Sequence, residues 1–146
     1  DGVLHGKYSE GVVINEAFNY IKEEAFNYVK EFSVNTRPFF IGHNVVFDLK
    51  FLFRRAVVLG IEPPFALPFQ GRHNSDYYCT MKAWCEFGER ISQDALCEAL
   101  GIDGKGEMDG SKVWPTFKAG DYKTIADYNL KDVETVKKIH DRLTFN

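Results

Sequence analysis

Apolar positions recur along this chain in two rhythms. From Glu16 to Phe32 they fall three or four residues apart, at Phe18, Ile21, Ala25, Phe26, Val29 and Phe32. That spacing predicts an amphipathic helix with these residues on its core face. The stretch contains a near-repeat, EAFNYIKE followed by EAFNYVKE. A solenoid needs about three repeats, so two copies indicate a duplication within one helix. The helical rhythm returns from about Val45 to Leu59, where Gly60 supplies a C-terminal stop. It returns again near 80–87, near 92–100 ahead of Gly101, from about Ser111, and from about Asp121 to Leu143. The other rhythm is short and strand-like: residues 2–8 (GVLHGKY), Pro38–Gly42 as a buried strand, and Asp76–Cys79 as a weak one. Residues 61–75, rich in Pro, Gly and Asn, and the Gly-rich 101–110 are loops. Strands separated by helices predict an α/β fold.

One carboxylate breaks the pattern of the last helix. At about 100° per residue, with Tyr128 at zero, Ile125, Ala126, Val133, Val136, Ile139 and Leu143 fall between roughly 20° and 160°. The other charged residues and Thr135 fall between roughly 180° and 340°. Asp132 lands at about 40°, inside the apolar arc, with Tyr128 at its border one turn earlier. An ionised carboxylate facing a core is costly unless it is paired or bound to metal. A buried salt bridge or a cap for a neighbouring helix would explain it, and so would a catalytic role. Asp48 lies at the edge of a second stripe, made by Val45, Leu49, Leu52, Ala56 and Leu59. There Asn44 as N-cap and an acid in the first turn have an ordinary structural explanation.

Composition narrows the options. With 146 residues the chain fits one domain. Its 45% apolar content and 13 phenylalanines are enough for a core, which excludes a disordered chain. No apolar run reaches membrane-span length, and the opening DGVLHGKYSEG is not a signal peptide. Three cysteines without a CxxC pair argue against a zinc ribbon or a disulfide scaffold, and favour a reducing, cytoplasmic setting. The net charge of -3 argues against a cationic nucleic-acid coat. It leaves room for an acidic site that meets phosphate through metal ions. Gly104-Lys105-Gly106 lacks the remainder of a nucleotide-binding P-loop.

Taken together, Gly42-His-Asn44, Val45-Val-Phe-Asp48 and Tyr128-Asn-Leu-Lys-Asp132 resemble the second and third motifs of the DEDD superfamily of 3′–5′ exonucleases. The second motif has the form N-x-x-F-D. The third matches Y-x-x-x-D, because the histidine form would need His where Asp127 stands. Asp76, Leu96–Ile102 and Gly104–Trp114 further resemble the exonucleases related to family B DNA polymerase proofreading domains. The resemblance runs in order over residues 36 to 146. It implies a ribonuclease H-like mixed sheet flanked by helices and a single-stranded DNA or RNA 3′ end as substrate. It also implies two divalent ions, Mg²⁺ or Mn²⁺, held by four carboxylates. Carried over, Asp48 and Asp132 are metal-site acids and Tyr128 positions the attacking water. Asn44, Phe47 and Lys105 become candidates for contact with the nucleic acid. Phe47 either joins the core, the favoured reading, or wedges near the terminal base. Trp84 and Trp114 are expected to pack.

The chain departs from this family at the first motif. D-x-E on the opening strand should supply two of the four acids, yet Asp132-Val-Glu134 is the only D-x-E present. Residues 1–14 resemble a later strand of the opening meander. The expectation is a single exonuclease-like domain over 1–146, N-terminally incomplete, lacking its central strand, and inactive or nearly so as written. Two alternatives stand beside it. One is a catalytically inactive nucleic-acid-binding or scaffold relative. The other is an unrelated α/β domain with chance motifs.

Overall fold

The computed structural model describes residues 12–20, 23, 38–104 and 108–146. It is a mixed α/β structure with helices and a small parallel sheet. Residues 12–20 are helical (α1). Then follow β1 (Phe40–Gly42), α2 (Val45–Leu59), β2 (Tyr77–Cys79), α3 (Thr80–Trp84), α4 (Gln93–Leu100), α5 (Gly110–Lys118) and α6 (Tyr122–Thr144). Strands β1 and β2 pair in a two-stranded sheet, with α2 in the connection between them. The strand expected at 2–8, and the helix expected beyond residue 23, lie outside the described residues.

Two compact units make up the chain: Asp1–Phe40 with Val45–Tyr77, and Ile41–Asn44 with Tyr78–Asn146. In the first, α1 is already helical at Val12, four residues before the expected Glu16. Ile14 and Phe18, one turn apart, are both buried, so the core face begins earlier than the stretch that announces it. Phe18 meets Phe65 edge-on at 5.9 Å, and Phe65 also packs on Phe40 at 6.2 Å. Helix α2 has the expected bounds and buries Val45, Leu49 and Ala56. The loop from Gly71 to Asp76 is tied by Arg72 N–H donating to Asp76 Oδ2 at 2.7 Å. A Cβ on Gly71 would meet the Asp76 side chain at 2.6 Å, which requires glycine there.

In the second unit α6 is the hub, touched by α3, α4 and α5. Leu96, Cys97 and Ile139 form its centre, with Ile91, Leu100, Ile102 and Leu143 packed around them. Local chemistry sets the helix ends. Ser92 Oγ accepts from Ala95 N–H, and Gly101 closes α4 in the left-handed conformation. Asp109 caps α5 and Asp121 caps α6. Helix α3 is shorter than the expected 80–87, because Cys85 turns to extended backbone (φ -90°, ψ 146°). The strand expected to be buried at 38–42 is not. β1 spans only Phe40–Gly42 and Ile41 is exposed. Among the described residues the sheet has no third strand to cover it. All three cysteines are free, and no described helix is long and apolar enough to cross a membrane.

Candidate active site

Helix α6 places Tyr128 and Asp132 on one face. Its buried and half-buried residues are Ile125, Tyr128, Asp132, Thr135, Val136, Ile139, His140, Asp141, Leu143 and Thr144. On the wheel all but Asp141 centre at about 50°, so Tyr128 and Asp132 lie inside the inward-facing stripe. This corrects the expected arc in three places, the first being Ala126, which is exposed. Val133 is 66% exposed, whereas Thr135 is only 2% exposed. Thr135 is buried at little cost because its hydroxyl donates to the Lys131 carbonyl at 2.8 Å. Asp132 is half-buried and its Oδ1 is shielded from solvent. Its backbone carbonyl accepts from Gln93 Nε2 at 3.4 Å, a link to the start of α4.

Asp48 belongs to the other unit, in the first turn of α2. The side chain reaches solvent, yet the protein around the carboxyl desolvates its charge and raises its pKa. A hydrogen bond from its own backbone N–H pulls weakly the other way. Phe47 does not join the core as favoured. It is 64% exposed, on the face of α2 opposite Val45 and Leu49. An apolar side chain in solvent beside a candidate catalytic acid leaves the base-contact reading. Lys105 lies outside the described residues.

Asn44 departs from its expected N-cap role. Its φ of 59° lies in the left-handed region, whereas an N-cap residue is extended. Asparagine tolerates that region better than most residues, but the conformation still costs about 1–3 kcal/mol. Strain of this kind gathers at functional positions. The neighbouring residue, His43, was not singled out in the sequence. Its Nε2 lies 2.9 Å from the Ile91 carbonyl and its Nδ1 2.9 Å from Thr80 Oγ1. A carbonyl only accepts, so Nε2 carries the proton and Nδ1 accepts from the Thr80 hydroxyl. His43 thereby braces the turn that leads into Asn44. The signal available in sequence was its place beside the N-x-x-F-D motif.

The structure thus sets a tyrosine–aspartate pair on one face of α6 and a separate aspartate at the start of α2. The chain belongs to the family of predicted 3′–5′ exonucleases related to the exonuclease domain of PolB, whose family model matches residues 7–137. No curated protein and no solved structure matches.

Proposed function

We propose that this domain is a metal-dependent 3′–5′ exonuclease of ribonuclease H-like fold that hydrolyses phosphodiester bonds at single-stranded 3′ ends. In this reading Asp48 and Asp132 are metal-site acids and Tyr128 is the water-positioning residue. The observation that carries it is the in-phase placement of Tyr128 and Asp132 in the inward stripe of α6. An acid there is expensive as a packing residue and useful as a ligand.

The donors fit the group. Carboxylate oxygens are hard ligands suited to Mg²⁺ and Mn²⁺. Asp48 carries a poorly solvated charge, which a neighbouring cation would stabilise. Among the described residues no group of three such ligands stands together; Asp48 and Asp132 are two of the four acids that the family resemblance implies. When bound, two divalent ions would supply a hydroxide nucleophile and stabilise the leaving 3′ oxygen. The protein's own contributions are distinct. Asp48 and Asp132 provide negative charge at fixed points. The Tyr128 hydroxyl, one turn from Asp132, holds the attacking water by a hydrogen bond. Phe47 presents a ring on which the terminal base can rest.

The test is digestion of 5′-labelled single strands by the natural full-length protein. Stepwise shortening from the 3′ end that stops in chelator supports the reading. Shortening that continues in chelator defeats the metal mechanism. Binding without cleavage would favour the inactive relative.

A further inference from the structure

Helix α5 and the turn into α6 carry an aromatic ladder that the catalytic reading does not use. Trp114 stacks on Phe117 with ring centroids 5.7 Å apart and planes 13° from parallel. Phe117 meets Tyr122 edge-on at 5.5 Å. Trp114 is 59% exposed and Tyr122 51%. No residue of α5 is buried, and Pro115 interrupts its hydrogen bonding from within. These rings therefore fill no core, contrary to the packing role expected for Trp114. The Lys118 ammonium lies 5.6 Å from the centre of the Trp114 ring. From Gly110 to Lys118 the helix carries two lysines and no acid, on a chain whose net charge is -3.

We propose that Trp114, backed by Phe117 and flanked by Lys118, is a stacking platform for a base of single-stranded nucleic acid. The ligand class rests on the exonuclease reading; the platform rests on its own geometry. Flat rings beside cations suit a strand, because every base has a π-face and every linkage a negative charge. An aliphatic protein partner would gain little from either feature. Lys118 sits on a flexible stem over the ring, so it moves onto the phosphate as a base takes its place. Tyr122, at the end of the ladder, opens α6, and Tyr128 follows six residues later, ~9 Å along the axis.

The experiment measures binding of fluorescein-labelled oligo-dT and oligo-U by anisotropy in EDTA, where cleavage plays no part. Trp114→Ala is expected to weaken binding by about 5- to 150-fold, the worth of one stacked base. Trp114→Phe should recover most of the loss. Strands with abasic sites should bind wild type as weakly as intact strands bind Trp114→Ala. In a Trp84→Phe background Trp114 is the lone tryptophan, and its emission should quench on titration with unlabelled strand. Unchanged affinity in Trp114→Ala with an unaltered thermal melt would overturn the platform. So would equal binding of intact and abasic strands by wild type, or no binding at all. Cleavage assays keep the two readings apart. Chelator-sensitive cleavage with Trp114-independent affinity removes the platform alone. Trp114-dependent binding without cleavage removes the exonuclease reading alone.

Discussion

Helices α2 and α6 each contribute one candidate catalytic acid, and they present it in opposite ways. In α6 the acid stands in the middle of the packing stripe, with Tyr128 one turn before it and the buried Ile139 farther along the same face. In α2 the acid stands at the stripe's edge, and the outward face carries Phe47, Phe51 and Val58, all exposed. One helix hides charge among apolar groups; the other shows apolar groups to water beside charge. Each violates the simple partition of polar outside and apolar inside, and such violations mark function more often than good packing does. Under the proposed function, α6 would carry Tyr128 and Asp132 into the chemistry, and α2 would offer an acid beside an exposed ring.

The largest effects should come from α6. Asp132→Ala is expected to abolish chelator-sensitive cleavage while leaving the melting temperature equal or higher, since it takes a half-buried carboxylate out of a packing stripe. A variant that melts early would place Asp132 in a structural ion pair instead. Tyr128→Phe is expected to lower single-turnover cleavage by about 10²–10⁴-fold with little change in strand affinity. The ring still packs, and only the hydrogen bond to water is lost. Wild-type turnover in that variant would remove Tyr128 from the mechanism.

Stability should divide the helices in the same way. Ile139→Ala removes a side chain at the centre of the second unit and should cost about 2–5 kcal/mol in denaturant unfolding. Phe47→Ala should change stability by no more than about 0.5 kcal/mol, as expected for an exposed site. A large loss in Phe47→Ala would restore the core role favoured from the sequence. Between these lies His43→Ala, which takes the donor from the Ile91 carbonyl and leaves the buried Thr80 hydroxyl only the Gly42 carbonyl at 3.5 Å. It should cost about 1–3 kcal/mol.

How far the sequence reveals this structure depends on whether the deciding chemistry is local. The bounds of α2 and the end of α4 were legible, because Gly60 and Gly101 act within a turn of themselves. Tyr128 and Asp132 were legible as a pair, because four residues on one helix share a face whatever the tertiary fold. Phe47 was misread because α2 carries apolar side chains on both faces, and periodicity alone cannot say which face meets the core. Thr135 and Val133 exchanged places because a threonine can satisfy its hydroxyl within its own helix. Asn44 at positive φ and the His43 brace depend on neighbours some 40 residues away, and no local pattern shows them.

The smallest effect is the sharpest for α2. Burial raises the Asp48 pKa above its ordinary value of 3.8, so the folded protein holds the proton more tightly than the unfolded chain does. Below pH 3.8 the group is protonated in both states and costs nothing. As pH rises from there through the raised folded value, the folded state carries a growing penalty for the ionised form. Above that value the penalty is constant. Asp48→Asn removes it, so the variant should melt a little higher than wild type at pH 7, and the advantage should vanish below pH 3.8. The gain will be small because the side chain reaches solvent and its charge is partly screened. Mg²⁺ adds the discriminating arm. If Asp48 is a metal-site acid, millimolar Mg²⁺ should raise the wild-type melting temperature more than that of Asp48→Asn, closing or reversing the difference at pH 7. Equal responses of the two proteins to Mg²⁺ would leave Asp48 as a helix-start acid whose raised pKa is a by-product of packing.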